Sequence, residues 1–166
     1  MPWMISAPLP DDEAERLAAL HALLILDTPP EERFDRIVQF AATEFDVPMA
    51  MISLVDSDRQ WFKSRVGFEG VCETPRDVSF CAHAVHSREL LLVPDALRDV
   101  RFHDNPIVVG DPGVRFYAGA PLTLRSGAVV GTLCVLDTQE RRFDAIDRSI
   151  LESLRLLVVA ELERKE

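Results

Sequence analysis

An α+β fold, one antiparallel sheet with helices grouped at both chain ends, is the class this sequence predicts. Three observations carry it. Apolar residues recur at helical spacing up to Phe45 and again from Phe143 onward. Between them, apolar runs of strand length come in pairs around turn-forming residues, the pattern of hairpins. Helices set apart from hairpin-joined strands indicate α+β rather than alternating βαβ units.

The first element is "LPDDEAERLAALHALLILD", a helix with Asp11 or Asp12 as its N-cap. Leu17, Leu20, Leu23, Leu24 and Ile25 give it a broad apolar face. "DTPPEE" ends it, because the proline pair after Thr28 cannot continue the hydrogen-bond ladder. A second helix is expected from about Glu31 to Phe45, with Phe34, Ile37, Val38, Ala41 and Phe45 on one face. After Pro48 the period changes. "MAMISLVD" and the alternating "RQWFKSRVG" flank "DSD" and read as a hairpin. Phe68 to Asp77, with Gly70 and Pro75, reads as a loop.

"VSFCAHAVHS" is expected as a short helix capped by Ser79, "LLLVPD" as a brief strand, and Ala96 to Gly113 as irregular chain. "VRFYAGAPLTLRSGAVVGTLCVLD" is a second hairpin turning at "RSG". "FDAIDRSILESLRLLVVAELERKE" closes the chain as a long helix. Ile146, Ile150, Leu154, Leu157 and Leu162 mark one face of it, and Leu151, Val158 and Val159 widen that face. One sheet face needs less apolar surface than this, so a partner surface is expected. The competing reading is that all of it meets the chain's own sheet.

Bulk properties narrow the function. At 166 residues the chain can bury a full core, and 48% hydrophobic with 28% charged residues is a globular profile. A net charge of -10 without any basic run disfavours nucleic acid. Apolar runs such as "ALHALLIL" fall well short of the ~20 residues of a membrane span. The start lacks the parts of a secretory signal, and three scattered cysteines do not suggest a disulfide framework. A cytoplasmic location is the expectation.

Four phrases in order, "FDVPMAMISLVDSDRQWFKS", "FCAHAV", "FYAGAPL" and "VVGTLCVLD", resemble the GAF domain, and most of all the GAF modules of bacterial histidine kinases and diguanylate cyclases. The resemblance places the domain at 31–166, with 1–30 as an N-terminal helical extension. It implies a GAF/PAS-like sheet of five or six strands, with the N- and C-terminal helices on one face and a loop- and helix-covered pocket on the other. It also implies a sensory, small-ligand-binding role, no enzymatic activity, and homodimerisation through the terminal helices with a signalling output partner. Whether the chain stands alone or is an input module stays open.

"SFCAHAVHS" concentrates the reactive residue types. A helix turns by about 100° per residue, so Cys81 and His83 point to nearly opposite sides. Only His83 and His86 share a face, and no second Cys/His cluster completes a zinc set; no metal is expected. Cys81 near a helix N-terminus could be an activated nucleophile. One GAF branch, the free methionine-(R)-sulfoxide reductases, is similar in placing cysteines where Cys72 and Cys81 fall. A third is missing, since "RFHDNPIVVGDPGVRF" contains none. The bilin-binding Cys-His pair is matched only by Cys81-Ala82-His83, and the cyclic-nucleotide motif Asn-Lys-Phe-Asp-Glu is absent.

On alternating strands Trp61, Lys63 and Arg65 share one side, and Arg115 and Tyr117 share another. The expected ligand-binding set is therefore Trp61, Lys63, Phe80, Cys81, His83, Arg115 and Tyr117, suited to a small anionic or polar molecule. Phe80 and Cys81 are expected inward and His86 outward. No cofactor is assigned. Two alternatives remain: a reductase using Cys81, and a ligand-free dimerisation module whose pocket is filled by Phe62, Phe80, Phe102 and Phe116.

Overall fold

The computed structural model describes residues 5–164; positions 1–4 of the expected extension and 165–166 of the closing helix lie outside the described residues. The elements are α1 (Glu13–Ala22), α2 (Glu32–Glu44), β1 (Met49–Val55), β2 (Arg59–Val66), β3 (Glu73–Pro75), α3 (Phe80–Ser87), β4 (Leu91–Val93), α4 (Pro106–Val109), β5 (Phe116–Thr123), β6 (Val129–Asp137) and α5 (Ala145–Leu162). All strands join one antiparallel sheet in the order β3-β2-β1-β6-β5-β4. The two expected hairpins are its centre, zipped together by β1 against β6.

Both faces of that centre are covered. On one, Phe34, Val38 and Ala41 of α2 and Leu151, Leu154 and Val158 of α5 pack on Ile52, Leu54, Phe116, Leu133 and Val135. On the other, Phe80 and Val85 of α3 and Phe102 pack on Met51, Phe62, Tyr117, Cys134 and Leu136. Every β1 residue is consequently buried, which explains why "MAMISLV" is apolar with little alternation. Each such Leu or Phe contributes about 2 kcal/mol of burial. At Gly131 only a hydrogen fits, because a Cβ there would collide with the Ser53 carbonyl on β1.

Local chemistry sets the helix starts. The Ser79 hydroxyl accepts from Ala82 N at 3.2 Å, capping α3. Asp144 and Asp147 form a reciprocal capping box on α5, at 2.8 and 3.0 Å. Asn105, followed by Pro106, caps α4.

Helix α1 packs onto the domain through Leu20, which joins the core under α2 and α5, and through one buried cation. Arg16 is fully buried. Its Nη1 donates to the Val55 carbonyl at 2.7 Å, at the end of β1, and its Nε donates to Glu13 at 2.9 Å. Glu13 also receives Arg76, which precedes α3, at 2.5 Å. One carboxylate thus ties the first helix to the segment that leads into the short one.

Three expectations change. Helix α1 stops at Ala22, and Leu24 adopts a left-handed conformation (φ 53) with its side chain exposed, so it leaves the expected apolar face. Glu73–Pro75, inside the expected loop, is an edge strand paired with β2. On α5 the buried stripe is Leu151, Leu154, Val158 and Leu162. Ile146 and Leu157, grouped with Leu154 and Leu162 on one expected apolar face, lie off that stripe at 69% and 54% exposed, part of the surplus apolar surface the sequence predicts.

Candidate functional site

Strand alternation and α3 together build a small cavity on the face away from the long helices. The cavity, of about 40 Å³, is lined by Met51, Phe62, Phe80, Cys81, Tyr117, Cys134 and Leu136, with Gln60 and Thr74 as polar members. Half-buried Phe68, Val78 and Ile107 also line it. Phe80 lies flat on Phe102 with ring centroids 4.0 Å apart, which anchors the first turn of α3 over the sheet.

Two polar groups cross this apolar space. Cys81 Sγ lies 3.2 Å from the Tyr117 hydroxyl and accepts from Thr132 Oγ1 at 3.0 Å. Gln60 Oε1 accepts from Ser53 Oγ at 2.7 Å and from Ser79 Oγ at 2.9 Å, and its Nε2 donates to Thr74 at 2.7 Å. Burial pushes the Cys81 thiol up, yet hydrogen bonds from Cys134, Thr132, Tyr117 and Ser53 outweigh it and hold the thiol at about 6. Tyr117 is raised well above the ordinary phenol, first by burial and then by the neighbouring sulfur. Among the described residues no positive charge lines the cavity.

Of the expected set, the structure brings Phe80, Cys81 and Tyr117 together around the cavity. Trp61 and Lys63 sit on the opposite face. Trp61 belongs to the core beneath α2 and α5. Lys63 Nζ is buried against Glu31 at 2.7 Å and the Pro29 carbonyl at 2.6 Å, above the Phe34 ring. Alternation does keep Trp61 and Lys63 on one side, and that side faces α2 and α5. Because Ile52 pairs with Ser64 but Ser53 with Phe62, the bulge at Lys63 leaves Ser64 on this side too, bonded to Asp35, and parts Arg65 from the other two. Arg65, past the bulge, holds the Phe68 carbonyl at 3.1 Å.

Arg115 precedes β5, and its guanidinium donates to the Val108 carbonyl at 2.8 Å, fastening α4 rather than lining the cavity. His83 points away from the cavity: its Nε2–H donates to the Ile5 carbonyl at 3.1 Å, and its ring meets the edge of Phe102. Burial lowers its pKa below that of ordinary imidazole. His86 is exposed. Phe116, expected among the pocket aromatics, packs on the helical side, while Phe62, Phe80 and Phe102 do face the cavity side.

Gln60, Thr132 and Cys134 were not among the expected site residues. The signal for two of them is a hydroxyl-bearing or amide residue inside an otherwise apolar strand, as at Gln60 and Thr132. Such groups need internal partners once buried. Asp56 and Asp137, closing β1 and β6, accept backbone N–H groups of the following turns at 2.8 and 2.7 Å.

The GAF domain family model matches residues 29–162. A cyclic di-GMP phosphodiesterase of Pseudomonas aeruginosa is 41% identical over 160 residues, spanning 96% of this chain and 27% of the relative. The chain therefore spans about a quarter of the length of that curated relative, and the matched region takes in α1 as well as the domain proper. Among solved structures, the GAF domain of an Acinetobacter phosphoenolpyruvate-protein phosphotransferase superposes with a TM-score of 0.65 at 19% identity, covering 89% of this chain and 92% of that one. The free methionine-R-sulfoxide reductase of Neisseria meningitidis, solved with its substrate, gives 0.65 at 18% identity, covering 96% and 95%. At such identities these structures establish the shared fold.

Proposed function

The chain belongs to the GAF domain family, and on that premise we propose that it is a non-enzymatic sensory module that couples a small ligand to the packing of its terminal helices. The observation that carries this reading is the lidded cavity under α3. Its walls are apolar, and its polar groups are few and hydrogen-bonded to one another. With the cations turned away, the fitting ligand is small and uncharged, with one hydrogen-bonding group for Gln60 or the Cys81–Tyr117 pair. Of the small anionic or polar ligand expected from strand alternation, this keeps the polar alternative.

The cavity, at about 40 Å³, is far smaller than the roughly 150 Å³ that takes a benzene-sized molecule. Ligand entry therefore requires α3 to lift. Helix α3 rests on β5 and β6, which carry α5 on their other face. A ligand that binds the lifted state more tightly biases this packing by population shift. A second copy, docked on the terminal helices, or an output partner reads the change.

Heteronuclear NMR of the labelled chain against small uncharged molecules tests the coupling. Binders are expected to shift resonances of Phe80, Cys81 and Thr132 together with those of α5. Shifts confined to the cavity would contradict it. Turnover of free methionine-(R)-sulfoxide with a dithiol reductant, above a protein-free blank, would instead favour the reductase reading that the partly ionisable Cys81 keeps in view.

A further inference from the structure

We propose that Cys81 and Cys134 form a peroxide-oxidisable dithiol that closes into a disulfide between α3 and the central strand β6. It goes beyond ligand sensing and holds whether or not the cavity takes a small molecule.

The geometry comes first. Cys81 and Cys134 line the same cavity, whereas Cys72 is exposed and does not. Helix α3 packs directly on β6. Thr132, which donates to Cys81 Sγ at 3.0 Å, is two residues from Cys134 on the same strand. Strand alternation puts both side chains on the cavity face. Cys134 Sγ faces the Met51 carbonyl at 3.7 Å. The cavity volume of about 40 Å³ admits a molecule the size of hydrogen peroxide.

The two sulfurs are chemically unequal, which makes Cys81 the attacking one; Cys134 must give up its proton as it resolves. The thiolate is the nucleophile, and the donors around Cys81 favour its ionised form. Cys134 is raised well above the ordinary thiol, first by burial and then by Cys81. In the first step Cys81 sulfur attacks one peroxide oxygen. An S–O bond forms, the O–O bond breaks, and the departing hydroxide leaves as water with the proton that Cys81 released. In the second, Cys134 sulfur attacks the sulfenic sulfur. The S–S bond forms, the S–O bond breaks, and the Cys134 proton leaves in a second water. Two thiols are oxidised by two electrons and one peroxide is reduced. The bridge would pin the lid to the sheet.

The test uses the full chain carrying Cys72→Ser, which removes the exposed thiol. It is treated with graded hydrogen peroxide, denatured with N-ethylmaleimide, and digested without reductant for mass spectrometry. The expected result is a linked peptide pair containing Cys81 and Cys134, lighter by two hydrogens and separated by dithiothreitol. In Cys134→Ser, Cys81 is expected to stop at sulfenic acid and be captured by dimedone. Two results would overturn the proposal. One is full alkylation of both thiols at a peroxide dose that consumes Cys72 in the unsubstituted chain. The other is Cys81 driven to sulfinic acid with Cys134 still alkylated. The linked peptide decides the matter even where Cys134→Ser fails to fold.

Discussion

The Tyr117 ring lies along its strand over Gly119, where a Cβ would overlap the ring and the hydroxyl. The "YAG" spacing is thus what lets that hydroxyl reach Cys81. Gly119→Ala is expected to displace the ring, break the contact with Cys81 and destabilise the fold by about 2 kcal/mol, an overpacking cost, measurable by urea unfolding. A second residue-scale prediction concerns Glu13. Burial pushes its carboxyl up, but the Arg76 and Arg16 guanidiniums outweigh that and hold it down at about 2, against an ordinary 4.5. A depressed carboxylate contributes stability that is complete above its unfolded pKa and is lost as pH falls through the folded one. The stability gap between the wild type and Glu13→Gln should therefore be constant above about pH 5 and shrink towards pH 2. A gap independent of pH would contradict the clamp. At this scale the sequence was half legible. Phe80, Cys81 and Tyr117 could be placed by type and motif, but Lys63 could not: alternation groups it with Trp61 without saying which face of the sheet looks into the cavity, and the bulge then separates Arg65 from both.

Helices with chemical start signals were readable as elements. Ser79 marks α3 in the sequence and caps it in the structure, while α5, read from its apolar spacing, proves to start at an Asp144–Asp147 capping box. Edge strand β3 was not readable, since three residues beside Pro75 carry no periodicity and pair only because β2 lies open next to them. The role of α1 was also hidden: an arginine three residues from Glu13 looks like a solvated helix pair, and its buried partners, the Val55 and Val129 carbonyls, are distant in sequence. Arg16→Met is expected to cost about 3 kcal/mol, because it leaves the Val55 carbonyl without this donor in the interior and removes one of the two guanidiniums that hold Glu13. Within the lid, Phe80→Ala removes the ring stacked on Phe102 and should cost a similar ~3 kcal/mol. It should also speed amide exchange across Cys81–Ser87 more than across β6; equal acceleration in both would mean that α3 is not a separable lid.

Helices α2 and α5 pack together on one face of the sheet centre, and the proposed coupling would leave the molecule through their outer surface. Ile146, Leu156 and Leu157 on α5 and Phe40 on α2 are each more than half exposed. If a second copy docks there, light scattering at tens of micromolar should give twice the chain mass, and Leu156→Glu with Leu157→Glu should halve it while leaving the circular dichroism unchanged. A monomeric wild type would remove the dimer from the mechanism. Sensing itself depends on the cavity being occupied. Native mass spectrometry of the chain purified from cells addresses that most directly. A small non-covalent adduct is predicted, lost on collisional activation and missing from Val78→Trp, whose indole would block the cavity. A bare-chain mass for both proteins, or an adduct that survives in Val78→Trp, would contradict ligand sensing at this site.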